Sequence, residues 1–222
     1  MTDATDRFND ESAINDAATD EAVFRLLAAF YNINPDMNLV KAVLKLTPEQ
    51  ITDAEIGKCI TMIKDFASKV EEDESLIIEL KRDWTKLFRG VAPDYGPKPP
   101  YEQLYVGSKG LEVISELADV YFANNYFEFF EINNRHDYIG TELAFVAYLS
   151  SLRRMAAESG NVAEYLSLSS LSENFTKSHI CHWIEKFCEE AFKHCSTDFY
   201  RGVMHLTLSL INTKGGFCDG IS

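Results

Sequence analysis

Acidic and aromatic side chains cluster at two points of the chain and border a third. Tyr101, Glu102 and Tyr105 follow directly on a proline run, and His136, Asp137, Tyr138 and Glu142 crowd the start of a long apolar stretch. Trp84 and Phe88 sit earlier, on the stripe of a helix. A carboxylate grips a guanidinium through two parallel hydrogen bonds, and tyrosine offers a rigid apolar face with a polar tip, so this mixture suits recognition of a basic peptide. The same residues also have plainer uses. Trp84 and Phe88 fit a core stripe, Asp137 can cap a helix by accepting from its first-turn N–H groups, and Glu102 and Glu142 can simply be solvated.

Covalent and metal chemistry find less support. Cys181, Cys188 and Cys195 recur every seven residues with His179, His182 and His194 nearby. Structural zinc sites use two short ligand pairs, whereas a heptad spreads its thiols along several helical turns and reads as packing. His179 and Trp183, one turn apart, read as residues that hold helices together. There is no glycine-flanked serine elbow and no GxxxxGK[ST] or GxGxxG loop, so no catalytic residue, metal or cofactor is expected.

Helices must position these side chains. The stretch 131–149 passes from polar and turn-forming to apolar at Asp137. Beyond it Ile139, Leu143, Val146, Ala147 and Leu149 recur at helical spacing, and Gly160 is a stop. This predicts a central helix over 137–159, with Asp137 as N-cap and Gly140 as a spot where another part of the chain can approach. Further apolar stripes predict a helix from Thr19 to before Pro35, one through Leu39–Leu44, one restarting at two capping boxes (47–50 and 52–55) and one through Leu76–Phe88. After the linker, helices are expected over Leu111–Tyr121, 162–172, 177–195 and 198–212. The last is capped by Thr197 or Asp198 and ends at Gly215-Gly216. The aromatic stretch 126–132 reads as a connector, because no partner strand is evident.

Between them, Gly90, Pro93, Gly96, Pro97, Pro99 and Pro100 interrupt regular structure and form a semi-rigid linker. The organisation expected is an acidic disordered extension over 1–18, an N-terminal helical subdomain over 19–90, a proline-rich hinge over 91–100 and a C-terminal helical subdomain over 101–222. Together they make one all-α, bundle-like domain of about ten helices. The hinge allows either a monomer or a homodimer formed by helix exchange.

A chain of 222 residues with 46% hydrophobic content can bury a full core. Its net charge of −14 and isoelectric point near 4.7 oppose nucleic-acid binding, which needs clustered lysine and arginine, and favour a basic partner. No run of about 18 apolar residues occurs and the acidic start lacks the basic region of a secretory signal, so a cytoplasmic protein without stable membrane insertion is expected. An odd number of cysteines without a compact framework agrees with a reducing compartment.

Four segments in order carry a resemblance: D-x-x-x-L-F-x-G at Asp83, Leu87, Phe88 and Gly90; P-P-Y-E-x-x-Y from Pro99 to Tyr105; D-x-I-G-x-E-L-x-F from Asp137 to Phe145; and H-I-x-x-W-x-x-x-F from His179 to Phe187. With them the chain resembles the TorD/DmsD-like chaperones that mature molybdenum oxidoreductases. The resemblance implies an all-α, non-enzymatic chaperone. Its partner would be the twin-arginine leader peptide of a molybdopterin oxidoreductase catalytic subunit, bound by Trp84, Phe88, Tyr101, Glu102, Tyr105, His136, Asp137, Tyr138 and Glu142. The alternatives are an enzyme such as a nucleotide hydrolase, for which no phosphate loop is present, and a helical DNA-binding regulator, which the charge opposes.

Overall fold

A computed structural model describes residues 11–47, 53–91, 95–127 and 135–213, which form nine α-helices joined by turns. These are α1 (Glu11–Asn32), α2 (Met37–Leu44), α3 (Ala54–Glu72), α4 (Ile77–Phe88), α5 (Gly110–Ala123), α6 (Ile139–Glu158), α7 (Val162–Phe175), α8 (Ile184–His194) and α9 (Asp198–Thr213). Residues 48–50 of the first capping box, Pro93, most of the stretch 126–132, and Gly215-Gly216 lie outside the described residues. So does the start of the acidic extension; α1 begins at Glu11, earlier than the Thr19 start expected.

The central helix is α6. From Ile139 to Ser150 almost every side chain on it is buried, polar ones included, because α1 packs along one side and α7 along another. A helix buried all round has no solvated face to carry its polar residues. The α1–α6 contact is pinned at its far end by ion pairs from Arg153 to Asp20 (3.2 Å) and from Arg154 to Glu21 (3.1 Å). A second layer is made by α3 on α9, with α2 against α3 and α8 against α9. Helices from before and after the proline run thus share one cluster of buried residues.

Local chemistry sets the starts of these helices. Asp36 caps α2 by accepting from Leu39 N at 2.9 Å, and Asp53 caps α3 by accepting from Glu55 N and Ile56 N. The second cap falls one residue past the Thr52 of the expected box, since aspartate is as good a cap as threonine. Gly140 is the predicted point of close approach: Asn32 at the end of α1 donates to its carbonyl at 3.0 Å, and a Cβ there would collide with that side chain. Gly90 takes a left-handed φ of 59°, and a Cβ on it would lie 2.9 Å from the Pro99 ring.

The helix expected over 177–195 is broken. A π-turn, Thr176–Ile180, widens the chain, Trp183 leaves the helical region at φ −137°, and α8 starts at Ile184. The break coincides with the burial of His179 and Trp183 against the 101–105 segment, and that burial outweighs the regular hydrogen bonds given up.

Asp83 closes the bottom of this arrangement. Its buried carboxylate accepts from Ser196 N (3.0 Å), Thr197 N (2.8 Å) and Thr197 Oγ1 (2.7 Å), with Lys86 Nζ at 3.3 Å. It thereby ties α4 to the loop that starts α9, where Thr197 caps through Tyr200 N. Removing a carboxylate that leaves several buried donors unpaired costs about 3 kcal/mol or more. Asp83→Ala should lose about that much stability in urea unfolding, and Asp83→Asn, which keeps an acceptor, distinctly less.

Candidate functional site

The proline run delivers the chain to the mouth of α6. Glu102 N donates to Asp137 O (2.8 Å) and Ile139 N donates to Pro100 O (3.0 Å), a short antiparallel pairing of Tyr101 with Tyr138. From there Glu102–Leu104 forms a single 3-10 turn. This pairing corrects the role expected of Asp137. The cap position of α6 is Tyr138, with no side-chain cap bond, so Asp137 stands one residue too early to reach the first-turn N–H groups. Its carboxylate instead accepts from Arg135 Nε (3.0 Å) and Nη2 (3.3 Å), and from Gln103 N at 3.4 Å. Arg135 also lies over the Tyr101 ring, 4.9 Å from its centroid.

Three carboxylates therefore meet inside the protein. Asp137 and Glu142 are wholly buried and Glu102 is 1% exposed, which removes the plainer alternative that Glu102 and Glu142 are simply solvated. Glu102 Oε2 lies 3.2 Å from His179 Nδ1. Among the described residues neither Glu142 oxygen has a hydrogen-bond partner, and Trp183 Nε1, equally buried, faces the carboxyl without completing a bond. Burial pushes the Glu142 carboxyl well above the ordinary carboxylate range, and the charges of Glu102 and Asp137 push it further. Burial likewise raises Glu102, against the pull of His179, and raises Asp137, against the pull of Arg135. Of the three, Glu142 has no cation beside it to offset these effects.

The aromatic residues divide into an inner and an outer set. Tyr138 Oη (2.7 Å) and Trp84 Nε1 (3.1 Å) both donate to Tyr31 O, one of the carbonyls left over at the end of α1. Phe88 packs on Tyr31, Phe187 and Tyr200. Trp84, Phe88 and Tyr138 are thus core residues behind the site. Tyr101 and Tyr105 are half-buried at its surface. Tyr105 stacks on Trp183 at 5.3 Å and meets the edge of Phe187, while its hydroxyl donates to Lys98 O. His136 lies to one side, edge-on to Tyr121, which donates to its carbonyl.

Beside Tyr105 and Glu102 opens a cavity of about 410 Å³, walled by Val106 with Glu112, Val113 and Glu116 of α5 and rimmed by Ser178, His182 and Lys186. Of these residues the sequence reading found Glu102 and Tyr105. The α5 acids carry no motif. His179 and Trp183 stand in a quoted motif but read as packing, and their contact with the two glutamates gave no sequence signal.

The thiols are unlike a metal centre. Cys59, Cys188 and Cys195 are buried and free, and burial pushes Cys195 up to about 12. Among the described residues no group of three or more His, Cys, Asp or Glu could hold a metal ion, and no helix is long and apolar enough to cross a membrane.

Residues 50–189 match the family of the nitrate reductase delta subunit. The chain belongs to this family. No curated protein matches it. The delta-subunit family consists of redox-enzyme maturation chaperones of the TorD type, specific for molybdoenzymes, and all four quoted segments fall inside the matched residues. In this delta-family chain the segments meet in space: Glu102 of the second touches His179 of the fourth, and Glu142 of the third faces Trp183 of the fourth.

A carboxyl whose pKa is higher in the folded than in the unfolded chain takes up a proton on folding. Its contribution is full below the ordinary value of 4.5 and is lost as pH rises toward the folded value. Glu142→Gln keeps the neutral shape and cannot ionise. Urea unfolding should find the wild type losing stability as pH rises above about 5, with a shallower slope in the Gln variant over the same range. Equal slopes would mean that Glu142 carries its charge in the folded protein.

Proposed function

We propose that this chain is a cytoplasmic chaperone that binds the twin-arginine leader of a molybdopterin oxidoreductase catalytic subunit. It holds that subunit while the cofactor is inserted and before export, and it catalyses no reaction itself. Membership of a molybdoenzyme-specific chaperone family supports the general role. The observation that carries the leader reading is that the second and fourth family segments meet at one opening, lined by Glu102, Glu112 and Glu116 with the Tyr105 ring beside them. A leader of two arginines and a short apolar stretch asks for carboxylates beside half-exposed rings, and Tyr101, Glu102 and Tyr105 offer that pairing. Asp137, Tyr138, Glu142, Trp84 and Phe88 serve this reading from behind, by fixing the segment and its charge.

A nucleotide hydrolase is less well supported, because no phosphate-cradling loop is present in the sequence. A net charge of −14 opposes a DNA-binding regulator.

Calorimetry with a synthetic leader tests the proposal. Binding at micromolar or better affinity is expected. A charge-assisted hydrogen bond contributes about 1.5–3 kcal/mol, so changing both arginines to alanine should weaken binding about tenfold to a hundredfold. Tyr101→Ala should weaken it while leaving the unfolding midpoint close to wild type. A leader that binds no better than its alanine version would remove the acidic-groove reading.

A further inference from the structure

We infer that Glu142 is a proton switch behind the opening: it releases its proton when a cationic group seats beside Glu102, and its carboxylate then accepts the N–H of Trp183. The inference rests on the leader reading above for its ligand and adds what the protein does when that charge arrives.

Glu142 and Trp183 are both wholly buried, and both Glu142 oxygens and Trp183 Nε1 are without a hydrogen-bond partner among the described residues. A buried donor and a buried acceptor left unpaired each oppose folding, yet here the two face each other and stay apart. An ionised carboxylate is the stronger acceptor, so the bond closes when the proton leaves. What keeps the proton in place is burial and charge. Glu102 faces Glu142 from the 101–105 segment and Asp137 from the chain before α6, and both favour the protonated form. The Tyr121 hydroxyl faces it from α5. The nearby cations are engaged elsewhere, Arg135 by Asp137 and His179 by Glu102. On α1, Asp20 and Glu21 pair with Arg153 and Arg154 at the far end of α6, and on α7 Glu173 pairs with Lys177.

Glu102 connects this buried pair to the surface, because it lines the cavity and also acts on Glu142 through its charge. A cation beside Glu102 offsets that charge and so weakens what holds the proton on Glu142. The carboxyl O–H bond then breaks, the proton passes to solvent by way of the cavity, and the carboxylate accepts from Trp183 Nε1. Trp183 stacks on Tyr105 at 5.3 Å, so the new bond fixes the ring that walls the opening. The linkage is reciprocal: a ligand that expels a proton binds more tightly once the proton has gone. Affinity for a cationic ligand therefore rises with pH, by at most about tenfold per unit for one proton.

Calorimetry of the full chain with an end-blocked leader at pH 8, in phosphate and in Tris, counts the protons released, because the two buffers differ widely in heat of ionisation. Wild type should show heats that differ between the buffers by the heat of taking up a released proton, and binding that tightens with pH. Glu142→Gln, which has no proton to give, should show equal heats and a flatter pH profile, and Trp183→Phe, which lacks the N–H, a smaller release. Equal heats in wild type overturn the switch and leave leader binding standing. A release that survives in Glu142→Gln belongs to His179 or His182 and overturns it too. A wild-type chain that binds no leader overturns the function proposed above. Tryptophan emission of the free protein then decides the switch: the difference between wild type and Glu142→Gln should change as pH rises above about 5, and a difference that stays constant to pH 9 overturns it.

Discussion

Two backbone hydrogen bonds, from Glu102 N to Asp137 O and from Ile139 N to Pro100 O, hold the rest of the site in place. Prolines 97, 99 and 100 leave the chain extended and short of its own hydrogen-bond partners, so it must borrow them from a neighbour. The mouth of α6 is that neighbour. Once the pairing forms, Glu102 points inward to His179, Tyr105 falls on Trp183, and Asp137 is turned from its own helix toward Arg135. Gly90 and Gly140 permit the close approach, one beside Pro99 and the other beside Asn32.

Burying three carboxylates opposes folding unless charge is removed or matched. Each of the three meets this differently. Asp137 has the Arg135 fork, Glu102 has His179, and Glu142 has no cation among the described residues, so burial favours its protonated form. Buried ionisable groups that cost stability, one of them Glu102 lining a cavity, point to a site shaped for something other than stability. The π-turn before His179 is a local irregularity of the same kind.

Much of the fold was legible in the sequence because most helices have one wet face. The stripes through Leu39–Leu44, Ile56–Val70 and Leu76–Phe88 appear as α2, α3 and α4, and Thr197 caps α9 as expected. The site was legible in its members but not in their states. Periodicity sees one helix at a time, so it could not show that α6 is enclosed by α1 and α7. Glu142, beside Thr141 and Leu143, therefore carries no sequence sign of its burial. Asp137 read as a cap because its spacing to the apolar run fits one, and only the pairing with Glu102 displaces it. The break at Thr176–Ile180 follows from contacts with residues some eighty positions away, which no local pattern records.

In the proposed function, the 101–106 segment, α5 and the α7–α8 junction together receive the leader. Hydrogen exchange by mass spectrometry on the full chain, with and without the leader peptide, tests it most directly. Added protection is expected over 101–106, 110–117 and 176–187, with α2 and α3 unchanged. Leader-bound chain protected only over α2 and α3, with those three segments exchanging as in the free protein, would contradict it.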